Sequence, residues 1–363
     1  MFSIKVNDRY QPRDIRNFNK FSLNLSFDSI CDTFGFAWRF NEKDYDQKEL
    51  LAVSHYHPCD VYYNDELIIA GIITNTDLVN NPVPDLVQIG GWSRPGVLEG
   101  STVMPSNYPL QTQGLSIESV ARKLCSPYNV KIEIDSSVKS KMQSVVKDDN
   151  IKPTETIKSY LQKITEVKRI IMTHTHDGKL LFTSAKTKEL PVFVFDNENS
   201  GSFPACKFKY SFKGENMHRF ITVMQQSTTD GTAGGQATIR NPYVINTYPK
   251  DKVITVSSGI ADDMPSAARQ ELSKELQNIT LTVELYDWKI GDEIIKPGKI
   301  ITVYDEKLYI YKKVNWFIRS VNYTADETSV RCTLTCVLPE VFNNDPVESI
   351  FKGINIHGKT NGY

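Results

Sequence analysis

The stretch Leu281–Leu338, LTVELYDWKIGDEIIKPGKIITVYDEKLYIYKKVNWFIRSVNYTADETSVRCTLTCVL, decides the fold. Turn residues break it into runs of β-formers: Gly291 and Asp292, Pro297 and Gly298, Asp305 to Lys307, and Ala325 to Glu327. Short strands at regular spacing with such turns predict an antiparallel sandwich or barrel. In the last run Val330, Cys332, Leu334, Cys336 and Leu338 alternate with Arg331, Thr333 and Thr335. A period of two marks a sheet with one buried face.

The N-terminal segment, up to about Trp92, reads the same way. Phe21, Leu23, Leu25 and Phe27 alternate, preceded by Phe18, and Phe34, Phe36, Trp38 and Phe40 alternate again. Runs at 59–63, 67–75 and 86–92 follow, with Asn64, Asp65 and Glu66 as a turn. That many strands in so short a segment predict a small barrel, because closure removes exposed edges. Val61-Tyr62-Tyr63-Asn64-Asp65-Glu66-Leu67 echoes Val303-Tyr304-Asp305-Glu306-Lys307-Leu308, each leading into a β run that ends near Ile73 or Ile318. Shared turn chemistry between unrelated hairpins is the alternative account of that echo.

Between these segments the periodicity changes. Leu115, Ile117, Val120, Ala121 and Leu124 form one helical stripe, and Ile157, Tyr160, Leu161 and Ile164 another, with Pro153 suited to a first helical turn. Strands are predicted at 169–174 and 179–184, joined through Asp177-Gly178, a hairpin dipeptide. The expected architecture is therefore mainly β with an α+β insertion: two related small antiparallel β-barrels plus a helix-hairpin domain. The predicted divisions are 1–100 (first barrel), 101–200 (α+β domain), 201–227 with 279–342 (second barrel), 228–278 (an insertion with a helix from Asp263 to Asn278) and 343–363 (a C-terminal arm). Glycine and polar residues at 227–237 predict a mobile loop. In the arm, Val347, Ile350 and Phe351 make one apolar patch, expected to dock a partner.

Composition bounds the function. At 363 residues, 40% hydrophobic and 23% charged, the chain is of ordinary globular make-up. A net charge of -1 gives no uniform field for holding nucleic acid through its phosphates. No apolar run approaches the roughly 20 residues of a membrane span, and the N-terminus lacks a signal-type apolar core, so synthesis and retention in the cytoplasm are expected. Six cysteines fit reduced thiols there. Cys332 and Cys336 stand about 13 Å apart along a strand, beyond disulfide reach.

Candidate chemistry is sparse. His55, His57 and Cys59 are three metal-capable side chains on one stretch, but a fourth ligand at suitable spacing is missing. His174, His176 and Asp177 approach an H-x-H-x-D-H pattern, yet Asp177 comes one residue early and Gly178 replaces the final His. Gly231, Gly234 and Gly235 match neither a dinucleotide loop nor a Walker loop. The carboxylate pairs Asp44/Asp46, Asp148/Asp149 and Asp262/Asp263 sit in polar surroundings typical of solvated charge. No G-x-S-x-G elbow occurs. Trp38, Trp92, Trp288 and Trp316 lie in or beside β runs, where core packing is the commoner role and glycan stacking the rarer one. The reading is of a non-enzyme with no cofactor and no metal.

The order of these pieces resembles a known family. The series ARQELSK, ITLTVELYDW, the G-x-x-I-x-PG turn, WFIRSVNYT and CTLTCVLPEVF is similar to that of baseplate hub proteins of contractile-tailed phages. The Mu-type hub is the nearest, with the T-even hub and injection-machine spike bases more distant. FSLNLSFDS, the hairpin CDVYYNDELIIAGIITNTD with Gly71, and LVQIGGWSRPGVLEG with Gly91, Ser93 and Arg94 resemble the first barrel of that family. GLSIESVARKLCSPYNVKI and PTETIKSYLQKI with THTHDGKLLFT resemble its helix-hairpin domain. Trp92 stands where the family has Arg, and 186–262 has no clear counterpart.

The resemblance implies a homotrimer in which each chain supplies two barrels to a pseudo-six-fold ring. Such a ring seats a hexameric tail tube protein on one side and a central spike protein on the other, among other baseplate proteins, with DNA passing through the lumen without sequence-specific binding and no membrane insertion. It implies a place in the virion tail baseplate, after assembly in host cytoplasm. The alternatives are a tail-tip carbohydrate-binding or cell-wall hydrolytic module, and the hub of a tailocin or contractile injection machine.

Overall fold

The computed structural model describes residues 2–7, 12–39, 41, 43–50, 52–78, 86–105, 110–146, 150–196, 206–225, 235–256, 264–343 and 345–352. Gly231, Gly234, Asp148, Asp149, Asp262 and Asp263 lie outside the described residues, as does most of the glycine-rich 227–237 stretch. The chain forms two compact units: Met1–Ser184 with Tyr286–Trp288 and Val321–Cys332, and Ala185–Leu285 with Lys289–Ser320 and Thr333–Tyr363.

The first unit begins with β1 (Phe2–Asn7), β2 (Pro12–Ile15), β3 (Lys20–Ser26), β4 (Thr33–Arg39), β5 (Pro58–Tyr63), β6 (Glu66–Leu78) and β7 (Leu86–Ser93). Alternation is realised as predicted: Phe21, Leu23 and Leu25 of β3 are buried while Lys20 and Ser22 face solvent. The hydrogen-bonded order is β3-β4-β7-β6-β5-β1-β2, all antiparallel. Laid flat, the steps from β3 to β1 would separate those strands by about 24 Å. The rings of Phe2 on β1 and Phe21 on β3 nevertheless stack with centroids 4.6 Å apart. The sheet therefore rolls over until its ends meet around an aromatic core.

Rolling demands close approach, and two glycines permit it. A Cβ on Gly91 would stand 2.2 Å from the Ile72 carbonyl oxygen and 2.4 Å from the Phe34 ring, and one on Gly71 would stand 2.5 Å from that same ring. Gly91→Ala is expected to cost about 3 kcal/mol, at the upper end for overpacking because backbone must move. A drop in Tm of roughly 6–12 °C checks this.

The unit continues with a smaller α+β layer. Helices Ile117–Cys125 and Ile157–Glu166 pack on β8 (Ile132–Ile134), β9 (Ile171–His174) and β10 (Leu180–Thr183), in sheet order β8-β10-β9. Each helix is capped by a hydroxyl: Ser116 accepts from the Ser119 N–H and Thr156 from the Ser159 N–H, both at 3.2 Å. Thr156 thus starts the second helix, and Pro153 lies ahead of it instead of in its first turn, because the threonine cap satisfies the end sooner. The hairpin turns at Gly178, whose φ of +84° favours glycine.

The second unit holds β11 (Phe193–Asp196), β12 (Cys206–Phe212), β13 (Phe220–Gln225), β14 (Gln236–Arg240), β15 (Lys252–Val256), β16 (Ile279–Leu285), β17 (Lys289–Ile290), β18 (Glu293–Ile294), β19 (Ile300–Asp305), β20 (Ile310–Ala325) and β21 (Val330–Val337), although the end of β20 and the start of β21 belong to the first unit. Its main sheet runs β12-β16-β21-β20-β19-β11. The end strands again meet, Phe195 of β11 lying edge-on to Phe208 of β12 with centroids 5.1 Å apart. Between β12 and β16 the chain makes an excursion: β13, β14 and β15 form their own sheet, covered by helix Met264–Leu276. That excursion starts upstream of the predicted 228, because β13 pairs with β14 and β15 and not with the barrel strands.

The two rolled sheets repeat one plan. In chain order β1, β3, β4, β5, β6 and β7 occupy the positions of β11, β12, β16, β19, β20 and β21. Irregularities coincide as well: the ladder slips at Val61/Tyr62 between β5 and β6 and at Val303/Asp305 between β19 and β20. Each plan ends in a 3-10 turn with proline in its first two positions, Arg94–Glu99 and Pro339–Val341. The plans differ in that β1 is antiparallel to β5 while β11 is parallel to β19, and in that β2 extends the first sheet beyond β1. The echo between Val61–Leu67 and Val303–Leu308 is thus a repeat of topology and not only of turn chemistry.

Candidate functional site

The metal-capable residues are not gathered into a ligand shell. His55 is exposed, His57 is buried with its ring 5.3 Å from that of His55, and Cys59 points into the core. Among the described residues no cluster of three His, Cys, Asp or Glu is placed to hold a metal ion. All six cysteines are free, and burial pushes the Cys332 thiol up to about 12.

His174 has a different partner from the one its motif suggests. Its Nε2 lies 3.0 Å from Oδ2 of Asp32, both side chains being almost wholly buried. Burial works against the imidazolium, but the Asp32 carboxylate and the Thr175 carbonyl outweigh it, so His174 titrates above its ordinary 6.5. Oδ2 of Asp32 also accepts from the Ser26 N–H at 3.0 Å, and the Asp32 N–H donates to Ser93 Oγ at 3.1 Å. The Ser93 hydroxyl donates onward to the Ile30 carbonyl at 2.8 Å. His176 and Asp177 sit in the following turn, where the His176 carbonyl accepts from the Ala70 N–H at 2.8 Å and Asp177 pairs with Lys179. These contacts fasten the helix-hairpin layer to the rolled sheet within the first unit. Sequence reading missed Asp32, because the neighbouring Asp28 and Ser29 make the segment look like an ordinary polar turn.

Tryptophan placement bears on surface stacking. Trp316 is fully buried and Trp288 nearly so, whereas Trp92 is 37% exposed. Trp288 belongs to the first unit, with its ring 4.7 Å from Phe2 and 6.2 Å from Tyr63. Its Nε1 donates to the carbonyls of Thr324 and Arg331, both at 3.2 Å. Among the described residues the tryptophans form no exposed row.

The C-terminal patch lies on its own unit. Ile350 is buried, its N–H donating to the Tyr243 hydroxyl at 3.3 Å, and that hydroxyl donates to the Glu348 carbonyl at 3.3 Å. Phe351 stands edge-on to Tyr243 and Tyr210, with centroids 6.2 Å and 6.5 Å away, and Val347 is half-buried. Phe351 also walls an open cavity of about 580 Å³ lined by Phe212, Tyr243, Val244, Ile245 and Tyr248. Phe212, Ile245 and Tyr248 expose much of their apolar surface there.

Two rolled sheets of one plan, a helix-hairpin layer and exposed apolar ground give the fold of phage-tail and injection-machine proteins. Residues 101–184 match the family described as baseplate hub protein gp44-like, second domain. The fold resembles the 43 kDa tail protein of prophage MuSo2 from Shewanella oneidensis (14% identity, 94% of this chain and 100% of that chain, TM-score 0.76). It also resembles a tail protein from Neisseria meningitidis (16% identity, 94% and 98%, TM-score 0.75). More distantly, it resembles a type VI secretion component of E. coli that is itself described as similar to the T4 tail proteins gp27 and gp5 (9% identity, 92% and 76%, TM-score 0.54). No curated protein matches the chain.

Proposed function

We propose that this chain is the structural hub of a contractile tail baseplate, working as a ring of three copies that joins a six-fold tube to a three-fold spike. The observation that carries this is the repeated plan: six strands in one order, rolled twice in one chain. Three copies then present six near-equivalent sheets to a tube while retaining true three-fold symmetry for a spike, so the symmetry mismatch is met without an adaptor. DNA passes through the lumen in this reading, and the chain's role is mechanical and not catalytic. Its place is the tail baseplate of a virion.

Val347, Ile350 and Phe351 keep a part in this proposal. Ile350 anchors the segment on its own unit, leaving Val347 and the cavity side of Phe351 as apolar ground for the spike or another baseplate component. The likeness to the type VI secretion component supports a second reading with the same mechanics, a hub in an injection machine.

Sedimentation velocity and native mass spectrometry on the purified full chain test the ring. A species of three times the chain mass is expected. A chain that stays monomeric at high micromolar concentration removes the proposal.

A further inference from the structure

We propose that copies of this chain join edge to edge, β12 of one copy adding as a strand to the far end of β6 in the next. This rests on the ring reading above and names the contact that closes it.

The pattern for that contact exists inside the first unit. The ladder between β19 and β20 stops at Ile300 and Phe317, with a last exchange between Ile318 and the 298–299 backbone. Beyond it β20 runs on through Val321–Ala325, which belong to the first unit, and β3 is its neighbour. With that flank covered, Phe21, Leu23 and Leu25 of β3 are buried, as are Val321 and Tyr323.

The equivalent strands carry the same two flanks, but both are open. The ladder between β5 and β6 stops at Pro58 and Ile72, with a last hydrogen bond from the Ile73 N–H to the His57 carbonyl at 2.9 Å. Beyond it Thr74–Leu78 have β7 on one side and, among the described residues, no strand on the other. Leu78 pairs in register with the fully buried Val87 and so lies on the core side, yet it is 55% exposed. For its part β12, the counterpart of β3, pairs with β16 alone among the described residues. Its inward side chains Cys206, Phe208 and Tyr210 are only half-buried where those of β3 are buried.

A strand edge left open is a hazard unless a specific strand covers it. Here each chain offers one edge and one receiving flank, of the two kinds that already meet in its first unit. The outward residues complement each other too: Lys207 and Lys209 are exposed on β12, and Asp77 is exposed on β6. Because the two surfaces differ, the contact is head-to-tail, the type that closes rings.

Hydrogen exchange on the full chain, combined with sedimentation velocity, tests this. In the assembled wild type, amides of 206–212 are expected to exchange at least about tenfold more slowly than in chain diluted to monomer. Leu78→Lys, a change at an exposed position, is expected to leave the chain monomeric with those amides of 206–212 that face away from β16 exchanging freely, while amides of 20–26 stay protected and report an intact fold. A wild-type trimer in which the 206–212 amides facing away from β16 are unprotected, or a Leu78→Lys chain that still forms trimers, overturns the pairing and leaves the ring reading standing. A wild type that never associates overturns both.

Discussion

Replacing Trp288 by alanine is expected to cost the first unit about 3–5 kcal/mol, enough to lower its Tm by roughly 6–20 °C. The indole is 9% exposed and lies among Phe2, Phe21 and Tyr63, so truncation opens a cavity where the sheet ends meet. Its N–H also holds the Thr324 and Arg331 carbonyls, which tie the end of the β20–β21 hairpin to the first unit. Trp288→Phe separates the two contributions: most of the ring area stays, and the lost hydrogen bonds cost about 1–2 kcal/mol. Trp92→Ala is the comparison, since a side chain 37% exposed keeps more of its surface in water and is expected to cost less on truncation than Trp288. Urea unfolding of the three variants checks the order. A Trp92 effect as large as that of Trp288 refutes this account of the core.

That core shows which parts of the fold the sequence carries in legible form. Alternation of Phe21, Leu23 and Leu25 was readable because solvent-facing Lys20 and Ser22 punctuate it. The helices at 117–125 and 157–166 were readable from apolar stripes, and Met264–Leu276 from Ala268, Leu272 and Leu276. The strand Phe2–Asn7 was overlooked: Phe2, Ile4 and Val6 alternate, but the run is short and its role as the closing strand depends on Phe21, which no local pattern supplies. The placement of β13 was not readable either, because a strand's periodicity says which face is buried and not which sheet receives it. The same limit hid the open flanks of β6 and β12. They are visible only when the two plans are compared strand by strand. Val347, Ile350 and Phe351 were found as a patch, but the Tyr243 hydroxyl that holds the Ile350 backbone lies far away in sequence.

Asp32→Ala is expected to destabilise the first unit by about 3–5 kcal/mol, the usual result of taking one member from a buried ion pair. His174 would keep its proton without a counter-ion or lose it, and the Ser26 N–H would lose its acceptor. Such a loss matters to the first unit because Asp32 belongs to the turn between β3 and β4, whereas His174 ends β9, so the pair links the rolled sheet to the helix-hairpin layer. The pH dependence identifies the charge. His174 binds its proton more tightly folded than unfolded, so its contribution is complete below the ordinary 6.5 and is lost as pH rises through the raised folded value. Wild-type stability is therefore expected to fall as the pH rises from below 6.5 through the raised folded value of His174, and to fall by more than that of Asp32→Asn, in which the imidazolium has lost its carboxylate. The difference between those two curves cancels the other titrating groups. If the curves run parallel, His174 is neutral in the fold and the contact with Asp32 is steric packing without charge; if they converge as the pH rises, the pair is ionic and holds the two layers together by attraction.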